Sequence, residues 1–313
     1  MKNTVWVLLI ITMILFITGC TGSEESGETD TEENEKVENA HLSGFEGKVK
    51  HVHGIGFLEK DILAFAAHEG IKIYKNEDWL ASDFHKNDYM GFAAVKDGFY
   101  TSGHPGKASD LPNPIGIQQG NINEKELTSY GFEGESDFHA MGVGYNNEAI
   151  YVLNQVPNSE MDQGLYRSFN KGETWEKLKA ENLGQNIFQI AVHPDDKKTL
   201  AISTETGVYF SKDAGGTFEL ISEPGQAGGL HFSNDRLLYG HYDGMPSLKE
   251  YDWGSEKTGD IQLPELKEDA VMYVAQNPEV IENLAIFTVQ GDSFITNDSG
   301  ETWEKIIDKG RVK

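Results

Sequence analysis

One eight-residue pattern recurs three times and constrains the fold of this 313-residue chain more than any other feature. Its copies run from Ser168 to Trp175, from Ser211 to Phe218 and from Thr296 to Trp303. The consensus is Ser/Thr-x-Asp/Asn-x-Gly-x-Thr-Trp/Phe. Each conserved-type position has a job in a hairpin. Asn170, Asp213 and Asp298 can cap their own turns through side-chain bonds to backbone N–H groups. Gly172, Gly215 and Gly300 can take a positive φ. The threonine and the aromatic residue (Trp175, Phe218, Trp303) restart a strand whose ring packs inward. Ser168, Ser211 and Thr296 open the three turns.

Upstream of each copy lies a short apolar strand, a small loop, a second apolar strand and a glycine. Phe188–Val192, Thr199–Ser203 and Gly207 make one example; Met272–Ala275, Leu284–Thr288 and Gly291 make another. Looser copies begin at Val52, Gly91, Met141 and Leu230. In the second of these, Ile115–Gln118 reads as the third strand. Six units of about 45 residues then fill residues 45–313, within the range of four-stranded blades. The 34 glycines against only 9 prolines suit a chain of many tight turns. The predicted fold is therefore all-β, a six-bladed β-propeller closed into one domain, because no unit can bury its sheet face alone. Seven blades would require one unit to be split. A two-sheet sandwich repeated twice is the structural alternative.

The eight-residue pattern resembles the Asp-box of bacterial-neuraminidase-type repeats, also present in sortilin-like propellers and photosystem-assembly factors. The resemblance implies a turn between the third and fourth strands of a blade, on the outer rim, with a structural role only.

Residues 1–20 read as a processing signal. Lys2 precedes the apolar stretch Val5–Ile17, which is short for a membrane span. It ends in Ile17-Thr18-Gly19-Cys20, which resembles the lipobox of bacterial lipoproteins, and Cys20 is the only cysteine of the chain. The resemblance implies a lipid on Cys20 and a location at the cell membrane on its extracytoplasmic side. Residues 21–44 read as an acidic tether, because Glu24 to Glu38 carry eight carboxylates opposed by Lys36 alone. The propeller is expected over 45–313.

On a propeller, the start of strand one and the end of strand two of every blade share one face. That template gathers six of the ten histidines. His51 and His53 precede strand one of unit one and His68 ends its strand two. His104 ends strand two of unit two, His139 precedes strand one of unit three, and His241 ends strand two of unit five. Glu69, Asp137 and Asp243 lie beside them. Imidazoles converging with carboxylates suit a transition metal such as Zn or Cu, and also Ni or Fe. A polar ligand is the other use of such a face. The runs His51-Val52-His53-Gly54-Ile55-Gly56, Ser102-Gly103-His104-Pro105 and Asp137-Phe138-His139-Ala140 resemble a group of bacterial lipoproteins labelled glycosylhydrolase-like.

Charge and composition exclude several classes. A net charge of −25 leaves no basic face for nucleic acid and favours a monomer through self-repulsion. A sialidase needs three arginines clamping one carboxylate; Arg167, Arg236 and Arg311 fall on a rim turn, a far turn and the C-terminal tail. Another glycoside hydrolase would need two loop carboxylates, and Glu69, Glu133, Glu135, Asp137, Glu205 and Asp243 map near the same face. Phe138, Tyr145, Tyr242 and Trp253 are aromatics placed there that could stack a sugar or peptide. The reading is a lipid-anchored propeller that binds a ligand or metal through its histidine face. A small molecule, a glycan or a membrane-protein partner could be the ligand, and glycoside hydrolysis is the alternative.

Overall fold

The computed structural model describes residues 41–313. The signal, the lipobox cysteine and most of the acidic tether lie outside the described residues. Within them the chain is all-β, with six antiparallel sheets in a ring and no helix.

Each blade is built from consecutive strands. Blade 1 holds β1 (Leu42–Gly44), β2 (Val52–Glu59), β3 (Ile62–Ala67), β4 (Gly70–Lys75) and β5 (Asp78–Ser82). Blade 2 holds β6 (Asp88–Val95), β7 (Gly98–His104), β8 (Gln118–Gly120) and β9 (Thr128–Ser129). Blade 3 holds β10 (Met141–Val143), β11 (Ile150–Asn154), β12 (Gly164–Ser168) and β13 (Glu176–Lys177). Blade 4 holds β14 (Ile187–Val192), β15 (Leu200–Thr204), β16 (Gly207–Ser211) and β17 (Glu219–Leu220). Blade 5 holds β18 (Gln226–Phe232), β19 (Arg236–Tyr242), β20 (Pro246–Asp252) and β21 (Lys257–Ile261). Blade 6 holds β22 (Val271–Gln276), β23 (Leu284–Thr288), β24 (Ser293–Thr296), β25 (Glu304–Asp308) and β26 (Arg311–Val312).

Two details differ from the sequence reading. The first strand starts three residues ahead of the expected boundary. Leu42–Gly44 pairs with β5 at the outer edge of blade 1, so ladder bonds hold a segment with little to bury. The third strand of blade 2 is Gln118–Gly120 rather than Ile115–Gln118. Ile115 and Ile117 are fully buried, but in the loop ahead of the strand. The apolar run marked burial, not pairing.

Ring closure uses both ends of the described chain. Val49 donates to the Gly310 carbonyl at 2.8 Å, and Val312 donates to that of Gly47 at 3.1 Å. Phe65 of β3 packs edge-on against Phe287 of β23, joining the cores of blades 1 and 6.

The three repeated turns fall between β12 and β13, β16 and β17, and β24 and β25. Their hydrogen bonds match. The glycine N–H donates to the first hydroxyl at 2.8, 3.0 and 3.0 Å. The threonine N–H donates to the Asx oxygen at 3.1, 2.9 and 2.9 Å. Bonds from Thr296 and Thr302 hold the Asp298 carboxyl down at about 2.

The innermost strands line a central channel. Ile55, Phe92, Met141, Ile190, Leu230 and Val274, one per blade, border both of its cavities. They form an apolar collar. A cavity of about 220 Å³ opens on one side of it and one of about 880 Å³ on the other.

Candidate metal centre

The smaller cavity is the histidine mouth. Its geometry begins with a repeated bulge. The ladders of β2, β6, β14, β18 and β22 each slip near their starts. Counting back the same two residues from the collar in every blade gives six corresponding positions. They are His53, Met90, His139, Phe188, Gly228 and Met272. Two residues further back stand His51, Asp88, Asp137, Asn186, Gln226 and Ala270. Gly54 and Gly56 let blades 1 and 2 close in behind these positions: a Cβ on them would lie 2.9 and 2.7 Å from those of Phe92 and Ala94.

Blade 1 contributes three stacked imidazoles. The His68 ring lies 4.5 Å from that of His51 and 4.9 Å from that of His53, at interplanar angles of 17° and 12°. Asp88 of blade 2 faces this stack, its Oδ1 3.7 Å from His68 Nε2. One ligand atom each from His53, His68 and Asp88 lie within 4.8 Å of one another. His53 Nε2 and Asp88 Oδ1 are buried and have no hydrogen-bond partner. Two unpaired polar atoms, converging from different blades, are costly in a folded chain. A cation bound between them would remove that cost.

A second group adjoins the first. Asp137 Oδ2 accepts from His139 Nε2 at 2.7 Å and lies 3.2 Å from His104 Nε2. His104 Nδ1 is 2.7 Å from Asn113 Oδ1. Asp137 Oδ1 is buried without a partner. His53 and His139 both border the cavity, so the two groups share one mouth over blades 1 to 3.

Burial pushes the His53 pKa down to about 4, and the neighbouring His68, His139 and His51 add to the effect. The imidazole is therefore neutral at pH 7, with a lone pair free for a metal. The linkage runs against acid. The unfolded chain takes the proton near 6.5 and the folded one only near 4, so this group lowers stability as pH falls between those values. An NMR titration of ring carbon protons is expected to show two histidines titrating near 4, His53 and His231, of which only the first is expected to vanish in His53→Gln.

The remaining predicted residues lie elsewhere. His241 is buried and its Nε2 bonds the Glu223 carbonyl at 3.1 Å. It pairs with Ala227, whereas Tyr242, one residue on, holds the level of His68 and His104. A one-residue step along a strand turns the side chain to the other face. Asp243 is exposed and caps its own turn at Met245 N. Glu69 is exposed and its carbonyl accepts from Lys72. Glu205 is exposed, and Glu135 is tied to Ser159 N. Among the aromatics, Phe138 is core, Tyr145 borders the larger cavity beyond the collar, and Trp253 packs on Phe210, Phe232 and His193. Of these four, only Tyr242 is exposed; Phe188, which was not singled out, is an exposed aromatic that borders the small cavity. His231 also borders the larger cavity, where burial lowers its pKa to about 4.

Sequence reasoning missed Asp88, Met90 and Asn113. Aligning the units was the available signal for the first two: Asp88 and Met90 stand in blade 2 where His51 and His53 stand in blade 1. Nothing local marked Asn113, which lies in a long loop of blade 2.

This ring of six blades is similar to two solved glycoside hydrolase structures. The GH74 xyloglucanase from Xanthomonas campestris matches at 15% identity and a TM-score of 0.52, over 85% of this chain and 46% of that one. The GH74 enzyme of Niastella koreensis matches at 15% identity and a TM-score of 0.52, over 83% and 46%. The chain thus spans about half the length of these structures, and likeness at this identity speaks for the fold alone. No protein-family model and no curated sequence matches the chain.

Proposed function

We propose that the protein is a lipid-anchored, extracytoplasmic propeller that binds a transition metal at the histidine mouth of its channel. The observation that carries the reading is the convergence of His53, His68 and Asp88 within 4.8 Å, with His53 Nε2 and Asp88 Oδ1 buried and unpaired. Neutral imidazole and a carboxylate are the donors that divalent transition metals prefer. The apolar collar offers no donor on the inner side of the site, so entry of the ion is expected from the histidine face. The Ile17-Thr18-Gly19-Cys20 run supports the anchor.

The full chain, purified in detergent through a tag free of histidine, is to be loaded with Zn or Cu and dialysed. About one ion per chain is expected to remain, and none in the His53→Ala/His68→Ala double variant. Equal retention by both proteins, or by neither, would sink the reading. Glycoside hydrolysis rests on likeness of fold. Release of reducing ends from xyloglucan by the same preparation would support it, and inert xyloglucan would remove that substrate.

A further inference from the structure

The six corresponding positions above the collar are not evenly furnished. Taken in order of the blades, three neighbours that border the small cavity carry donors: His53, Met90 and His139. Of the other three, Phe188 and Gly228 offer none, and at blade 6 it is Tyr273 that borders the cavity rather than Met272. Met90 borders the small cavity together with His53 and His139, between which it stands. In blade order a thioether-bearing residue therefore stands between two imidazole-bearing ones on the lining of a single cavity. It sits on β6, the strand that also presents Asp88 to His68.

We infer that the ion bound at this mouth is copper, taken as Cu(I), with the Met90 sulfur among its ligands. This rests on the metal reading above and names its metal. Methionine sulfur is a soft donor that favours Cu(I), whereas zinc in proteins draws on thiolate, imidazole and carboxylate. Imidazole serves both ions. Met90 is thus the residue whose loss separates them. Its common role as a flexible gap-filler makes the opposite forecast, since a filler's removal would act on both metals alike.

The test uses the full chain carrying Cys20→Ser, so that the lone thiol cannot compete for copper. Cu(I) affinity is measured against a colorimetric Cu(I) chelator, and Zn(II) affinity against a zinc chelator. Met90→Leu conserves volume and keeps the apolar packing. It is expected to weaken Cu(I) at least ~10-fold and to leave Zn(II) within about twofold. X-ray absorption at the copper edge is expected to show a sulfur neighbour that disappears in Met90→Leu. Cu(I) binding unchanged by Met90→Leu, or a copper spectrum without sulfur, would overturn the inference. In that case Zn(II) binding lost in His53→Ala would still uphold the metal site. Loss of both metals in Met90→Leu, with sulfur absent from the wild-type copper spectrum, would also overturn the copper assignment. If the wild type retains neither ion, both readings fall.

Discussion

Replacing Phe65 by alanine is expected to cost about 3–5 kcal/mol, the range for emptying a fully buried aromatic site. Phe65 is fully buried. Its ring stands 5.2 Å from that of Trp79 within its own blade and 6.5 Å from that of Phe287 in blade 6. The same apolar cluster holds Val49, Ala285, Ile306 and Ile307, residues on both sides of the ring closure. Only a few backbone bonds reinforce that seam, among them Val49 to Gly310 and Val312 to Gly47. Loss of the ring therefore weakens the join between the first and last blades, where chain connectivity gives no help. At ~2–4 °C per kcal/mol for a domain of this size, the melting temperature is expected to fall by about 6–20 °C. A fall below about 2 °C in a thermal scan would mean that the seam does not depend on this packing.

The propeller was legible because its unit is local. A strand pair, a capped turn and a restarting aromatic all fit inside one repeat, and repetition multiplied a weak signal. Ser168, Ser211 and Thr296 make the same hydrogen bonds because the same residue types recur at the same offsets. What the sequence concealed is where pairing is not driven by burial. Leu42–Gly44 and Arg311–Val312 add outer strands through ladder bonds, with no apolar alternation to announce them. Ile115 and Ile117 misled in the opposite sense, since a loop can be buried when its backbone groups find partners. Here Ile115 donates to the Gly103 carbonyl, and Ile117 donates to that of Gly131.

The site was legible to the level of a face and no further. Strand polarity placed His51, His53, His68, His104 and His139 at one mouth, because polarity survives small errors of register. Side-chain direction does not survive them. The bulge at His53 adds one residue to β2, and such an insertion re-aims everything before it. Tyr145 and Trp253 show the same limit at the other end of a blade. Each lies just past the end of an innermost or third strand, so a short overrun carries it to the far side of the disk.

The pair Asp88 and His241 turns that limit into a measurement. Asp88→Ala is expected to weaken metal binding by ~100-fold or more, at least the upper end of what loss of a supporting partner costs. It removes the carboxylate that faces His68 at 3.7 Å and completes the three-donor group. It also removes a buried oxygen that has no hydrogen-bond partner, so folding stability should hold. His241→Ala is expected to do the reverse. The imidazole is 7% exposed and ties the Glu223 carbonyl at 3.1 Å. Its loss should cost about 1–3 kcal/mol through an unpaired carbonyl and a small cavity. Metal affinity should stay within about twofold, because the ring lies one step out of register with the mouth. Competition against a metal chelator and a thermal scan on both variants decide the matter. If His241→Ala sheds the metal while Asp88→Ala keeps it, the donors come from blade 5 and not from the junction of blades 1 and 2, and the centre described here is misplaced.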